Sequence, residues 1–253
     1  MRSILIGGLA ALAIAGSLHA GTDATAPLAL DTTWTVSLDA DGRVVELKQE
    51  SRVKPLVAEP LERAIRGWSF EPGRVDGRPA ATETTLNVAI MLEPHGEGYA
   101  VRVKSARTGG GVARTTAPTF PRSALPSRGS DVFSALAVVE VRYDEAGKVI
   151  AADVAPGAPK VRRDVGKAAL DSVRRWTFRP ERVDGHAIAA TVYVPLCFTA
   201  SVDSRKAMNA QCEKWTPPGE RAGIGGGDGS GVGEAFALAP AATLKSEVVG
   251  RTL

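Results

Sequence analysis

The chain has 253 residues, 44% hydrophobic and 23% charged, a globular composition with room for one large domain or two small ones. The formal net charge is +3, and the basic residues are scattered without a run, which argues against a nucleic-acid-binding protein. Aromatics make up only 5%, so aliphatic side chains must dominate any core.

Arg2 gives a short positive start, Ile4 to Gly16 is apolar, and Ser17-Leu18-His19-Ala20 ends on a small residue. This is the pattern of a secretory signal peptide covering residues 1–20. A membrane span takes roughly 20 apolar residues, and this run is shorter. Cleavage after Ala20 removes Arg2 and lowers the net charge from +3 to +2. Retention of the segment as a membrane anchor is the alternative.

A first unit is expected over residues 27–103. Trp34, Val36 and Leu38 alternate with polar residues as a half-buried strand. Asp39-Ala40-Asp41-Gly42 is turn chemistry, and Val45 and Leu47 mark the inner face of the returning strand. Pro60 starts a helix whose inner face is Leu61, Ala64, Ile65 and Trp68. Leu86, Val88, Ile90 and Leu92 form a third strand, and Tyr99 to Val103 can return as a fourth. Residues 104–117, with Gly109-Gly110-Gly111, read as a flexible linker.

A second unit over residues 118–212 repeats this order. Val139, Val141 and Tyr143 make the first strand, and Asp144-Glu145-Ala146-Gly147 the turn. Ile150, Ala152 and Val154 return, and Val165, Ala169, Ser172, Val173 and Trp176 mark a helix face. Val192, Val194, Leu196 and Phe198 repeat the third strand. The remainder, 213–253, is Gly-rich between Gly223 and Gly233 and reads as a disordered tail.

One phrase recurs 108 residues apart: Trp-Ser-Phe-Glu-Pro-Gly-Arg-Val-Asp-Gly from Trp68, and Trp-Thr-Phe-Arg-Pro-Glu-Arg-Val-Asp-Gly from Trp176. A repeat this long means two copies of a folding unit. Trp68, Phe70, Trp176 and Phe178 are the structural core residues of the phrase, each pair pinning a helix-to-strand corner. Proline turns the chain, and Val-Asp-Gly makes the next turn.

Cys197 and Cys212 are the two cysteines. In an oxidising compartment they pair as a disulfide worth on the order of 3 kcal/mol. His95 and His186 lie in turns without partners at metal or catalytic spacing, and His19 leaves with the signal. The glycine run lacks a following Gly-Lys-Ser/Thr, and no nucleophile elbow occurs. The sequence therefore offers no catalytic residue, metal ligand or cofactor site.

The second unit resembles the C-terminal domain of TonB-type energy transducers. The resemblance runs through Phe120-Pro121-Arg122-Ser123-Ala124, Val139 to Tyr143, Gly147-Lys148-Val149, Ala168-Ala169-Leu170, Trp176 to Pro180, Asp184-Gly185 and Val192 to Phe198. The first unit looks like a diverged copy without the aromatic-Pro opening. The resemblance implies an α+β fold of two small TonB-C-like units, each an antiparallel sheet with one helix, ordered strand, strand, helix, strand. It implies a periplasmic protein that binds envelope or outer-membrane proteins by strand addition, with Thr191, Val192, Tyr193, Val194 and Leu196 on the receiving edge strand. The usual Pro-rich spacer is missing, and Pro195 interrupts the receiving strand. A TonB-linked transducer on an uncleaved anchor is the alternative, and only that form meets the membrane. Exposed strand edges also leave a strand-swapped homodimer open.

The export reading predicts a mature chain beginning at Gly21 by intact mass spectrometry. A chain retaining Met1 would favour the anchored form.

Overall fold

The computed structural model describes residues 27–96, 98–125, 132–201, 212, 215–217 and 235–253. The fold is α+β and rich in sheet, with two α-helices among the described residues. None of its described helices is long and apolar enough to cross a membrane.

The first half runs β1 (Leu28–Leu38), β2 (Val44–Gln49), α1 (Pro55–Arg66), β3 (Phe70–Glu71), β4 (Arg74–Val75), β5 (Arg78–Pro79), β6 (Thr82–His95) and β7 (Gly98–Gly109). After β8 (Gly111–Arg114) come β9 (Val132–Tyr143), β10 (Val149–Val154), α2 (Arg163–Val173), β11 (Thr177–Arg179), β12 (Arg182–Val183), β13 (His186–Ala187) and β14 (Ala190–Ser201). The chain ends with β15 (Phe236–Ala237) and β16 (Thr243–Leu244).

Alternation along the strands decides which side chains meet the helices. Trp34, Val36, Leu38, Leu86, Val88, Ile90 and Leu92 are buried with Leu61 and Ile65 of α1 in one core. Val139, Val141, Tyr143, Val192, Val194, Leu196 and Phe198 are buried with Val165, Ala169 and Val173 of α2 in another. The pairings are antiparallel: β2-β1-β6-β7 in the first sheet, and β10-β9-β14-β15 in the second.

The repeated phrase is the corner of each core. Trp68, Phe70, Trp176 and Phe178 are all buried, and Phe178 stacks on Tyr143 at 4.8 Å. The Phe70 N–H donates to the Gly42 carbonyl at 3.1 Å, and the Phe178 N–H to the Gly147 carbonyl at 2.8 Å. Gly42 and Gly147 have φ of 78° and 76°, and a Cβ there would lie about 2 Å from the same phenylalanine carbonyls. Only glycine fits both the turn and the contact. The Asp-Gly pairs have positive φ at both residues (51° and 77°, 51° and 76°), the requirement of a two-residue type I′ hairpin.

Several expectations fail for physical reasons. Most of the supposed linker, residues 104–117, is strand: β7 continues through Gly109, and β8 pairs with β11. The three glycines there serve close approach, since a Cβ on Gly110 would lie 1.8 Å from the Tyr143 hydroxyl and one on Gly111 2.5 Å from Thr85 Oγ1. Residues 235–253, placed in a disordered tail, carry β15 and β16 and bury Ala237, Ala242 and Val248. The rest of that tail, apart from residues 215–217, lies outside the described residues, as does the signal segment. Val45 and Ile150 are exposed, because a register shift between Ser37 and Leu38, and another between Val149 and Ala151, falls on each of them; Val154, beyond the second shift and at the end of β10, is exposed too. Helix α1 begins at Pro55 and carries Pro60 inside it, so its inner face also takes Val57 and Ala58.

The halves are also interleaved. The β12–β13 hairpin of the second half joins the first sheet, with Arg182 opposite Glu83 and Val183 opposite Thr82. Among the described residues, the equivalent β4–β5 hairpin pairs only with itself.

Trp68→Ala and Trp176→Ala should each destabilise the chain by about 3–5 kcal/mol, measured by denaturant unfolding. Trp176→Ala should cost more, because its Nε1 also donates to the Thr116 carbonyl at 3.0 Å. Unchanged unfolding midpoints would contradict the corner role.

Candidate functional site

Among the described residues, β2 and β10 end their sheets with one partner each, and the outer edge of β14 is covered only in part, by β15. The Leu238 N–H donates to the Thr191 carbonyl at 3.1 Å, and Val192 and Tyr193 lie opposite Ala237 and Phe236. Backbone groups alternate sides along a strand, so those of Thr191, Tyr193, Pro195, Cys197 and Thr199 face this edge. The inner side agrees. The Ala155 N–H donates to the Val138 carbonyl, so Val138 turns its groups toward β10 and makes no ladder bond to Pro195 opposite it.

Pro195 therefore costs the sheet nothing. It removes one donor from the outer edge, two residues beyond the last pair with β15. Beyond Tyr193, no strand pairs with the outer side of β14 among the described residues.

The residues expected on the receiving strand divide accordingly. Thr191 and Tyr193 turn backbone groups to the edge. Val192, Val194 and Leu196 turn theirs to β9 and bury their side chains under α2. Their side chains are core, and a partner strand would meet them only through its neighbours' packing.

The other face of β14 carries a small second cluster. Leu136, Val138, Ala155, Tyr193, Cys197, Cys212 and Trp215 are buried together there. Cys197 and Cys212 are disulfide-bonded, with Cα atoms 5.7 Å apart. The Trp215 ring meets Tyr193 edge-on at 5.1 Å, and its Nε1 donates to the Gly157 carbonyl at 2.9 Å. Phe236 packs on this cluster with the Arg107 guanidinium 5.3 Å over its ring. Trp215, Arg107, Phe236 and Ala237 went unmarked in the sequence. The alternating Phe236-Ala237-Leu238 was the available signal, hidden by the glycine run before it.

The segment carrying β15 is held by both halves. Glu181 is buried, and its carboxylate accepts from Thr84 Oγ1 at 2.6 Å and from the Ala241 N–H at 2.8 Å. Thr243 and Leu244 pair with Glu71 and Phe70, and Ser246 Oγ accepts from the Ser69 N–H at 2.9 Å. The Val103 N–H donates to the Arg251 carbonyl, and the Leu253 N–H to the Val101 carbonyl. Burial pushes the Glu181 carboxyl above its ordinary value, although the Thr84 and backbone donors pull it down. Burial, and then the Glu181 charge, also push the Tyr143 phenol up. The Tyr143 hydroxyl has no hydrogen-bond partner among the described residues.

Three of the ten positions in the repeated phrase differ, and they sort by contact. Ser69 and Glu71 meet the C-terminal segment, where the second copy has Thr177 and Arg179. Arg179 reaches Thr35 at 3.2 Å and Glu50 at 3.4 Å in the first half. Gly73 leaves space for Val183, which a Cβ there would approach to 2.7 Å, while Glu181 at the matching position crosses to Thr84.

Arg179 also borders a polar cleft of about 220 Å³ with Thr35, Ser37, Glu46, Lys48, Glu50 and Glu83. Burial raises the Glu50 carboxyl, but hydrogen bonds from Lys48 and Thr35 and the Arg179 charge outweigh it and hold it below its ordinary value. Lys48 and Arg179 both pair with Glu50, at 3.0 and 3.4 Å. No group of three or more His, Cys, Asp or Glu among the described residues is placed to hold a metal ion.

No protein-family model matches the chain, and no curated protein or solved structure matches it either.

The folded Glu181 pKa is raised, so the folded chain holds this proton more tightly than the unfolded chain. Its stabilising contribution is full below the ordinary value of 4.5 and is lost as pH rises through the raised one. Comparing denaturant midpoints of the wild type and Glu181→Gln across that window should show a decline in the wild type that the variant lacks. Glu181→Ala should lose on the order of 1–3 kcal/mol at all these pH values, because the Ala241 N–H is stranded. Parallel pH profiles for wild type and Glu181→Gln would contradict the buried-carboxyl account.

Proposed function

We propose that the protein is an exported, periplasmic binding or adaptor protein of two TonB-C-like units, each ordered strand, strand, helix, strand. It takes envelope or outer-membrane proteins by strand addition on the outer edge of β14. Main-chain bonds to the edge supply affinity, and the side chains beside it supply selectivity.

One observation carries this reading: the edge is only half used. It pairs with β15 at Val192 and Tyr193, and the run from Val194 to Ala200 has no strand on that side among the described residues. The element order β1, β2, α1, β6 and β9, β10, α2, β14 supports the two-unit reading. The disulfide supports export, because such bonds persist in oxidising compartments. Pro195 sets the length of the contact by denying a partner one donor, so the reading is of a short, exchangeable pairing.

A photo-crosslinking residue at Thr199, on the proposed edge, should capture a partner in the native cell. The same residue at Asp153 on β10 should not, and the captured peptide should map to one short segment of an envelope protein. Equal capture at both positions, or none at either, would contradict strand addition at β14.

A further inference from the structure

We infer that β15 is a built-in occupant of the partner site, and that it displays the sequence pattern a partner must carry to replace it. This rests on the strand-addition reading above. Two subsites flank the edge. The first is an aromatic slot, where Phe236 lies against the Tyr193 and Trp215 cluster beneath the Arg107 guanidinium. The second is a slot for a small side chain. Ala237 is buried there among the core residues under α2, and its Cβ would lie 2.5 Å from a Cβ on Gly109.

Strand alternation sends neighbouring side chains to opposite faces, so the two slots read consecutive residues. The accepted segment is therefore extended, with an aromatic residue followed by alanine, serine or glycine, and with a free N–H two residues after the aromatic. That N–H takes the place of the Leu238 amide on the Thr191 carbonyl. A larger residue after the aromatic has to fit the buried space beside Gly109 that Ala237 fills. Partner and C-terminal segment compete for the same edge, and the chain regulates its own access. Release of β15 need not release the segment, because Ala241, Thr243, Ser246 and Arg251 hold it elsewhere.

The test uses the full mature chain and a fluorescein-labelled peptide with the sequence of residues 234–239, Glu-Ala-Phe-Ala-Leu-Ala. Fluorescence anisotropy should give weak binding to the wild type and at least tenfold tighter binding to Ala237→Arg, in which β15 cannot seat. The peptide carrying Ala237→Leu should bind the same variant at least tenfold more weakly. Leu238→Pro deletes the donor to Thr191 at an exposed side chain, and it should open the edge likewise if Ala237→Arg fails to fold. Equal binding to wild type and opened variants overturns the occupant role. Equal binding of both peptides to the opened chain overturns the small-residue slot and leaves strand addition standing. No binding of either peptide to an opened, folded chain overturns strand addition itself.

Discussion

The Glu181 carboxylate is the contact on which the arrangement of this chain depends. It is buried, it takes the Thr84 hydroxyl from the first half, and it takes the Ala241 N–H from the C-terminal segment. A carboxyl in that position is costly to strip of water unless its oxygens are bonded. The same hydrogen bonds that satisfy it fix three stretches of chain at one point. Close by, Gly110 passes against Tyr143 and Gly111 against Thr85, so the crossover has no room to shift. The halves are consequently joined by side-chain fit and backbone pairing, and not by a loose connection.

From that node the C-terminal segment runs two ways. Toward its end it pairs with β3 and β7 and buries Ala242 and Val248 in the first core. Toward its start it lays β15 on the edge of β14. The first direction is anchored by buried apolar groups and several backbone bonds. The second is a two-residue pairing with one aromatic and one small side chain. Unequal anchoring of this kind lets the lightly held end open while the rest of the fold stays closed. Replacement of β15 by a partner strand, as proposed above, would draw on that inequality, and Pro195 removes one donor from the edge such a strand would meet.

Much of this was legible in the sequence because it is local. The alternation in β1, β6, β9 and β14, the inner face of α2, the Asp-Gly turns and the Trp-x-Phe corner follow from period, propensity and turn chemistry. The cysteine pair was legible from the count of two and the expectation of export. What was not legible depends on distant residues. Gly109-Gly110-Gly111 has a linker's composition, and only Tyr143, Thr85 and Ala237 across the crossover explain it. The final nineteen residues look apolar without period, because they form short pairings with three different elements. The outward turn of Val45 and Ile150 comes from register shifts that a strict alternation cannot anticipate. Of the candidate site, the strand β14 was legible as a strand, and the burial of Val192, Val194 and Leu196, which turns their side chains into core, was not. The three differences within the repeated phrase were visible from the start, and contacts across the junction give most of them their meaning.

The central claim is that β15 leaves the β14 edge independently of the rest of the fold. Native-state hydrogen exchange of the Leu238 amide tests this most directly, compared with amides of Val192 and Val194 on the inner side of the same strand. The account predicts that Leu238 exchanges through a local opening, with protection far below that of Val192 and Val194 and insensitive to low denaturant. Exchange of Leu238 only with global unfolding, at the same free energy as the inner amides, would contradict it.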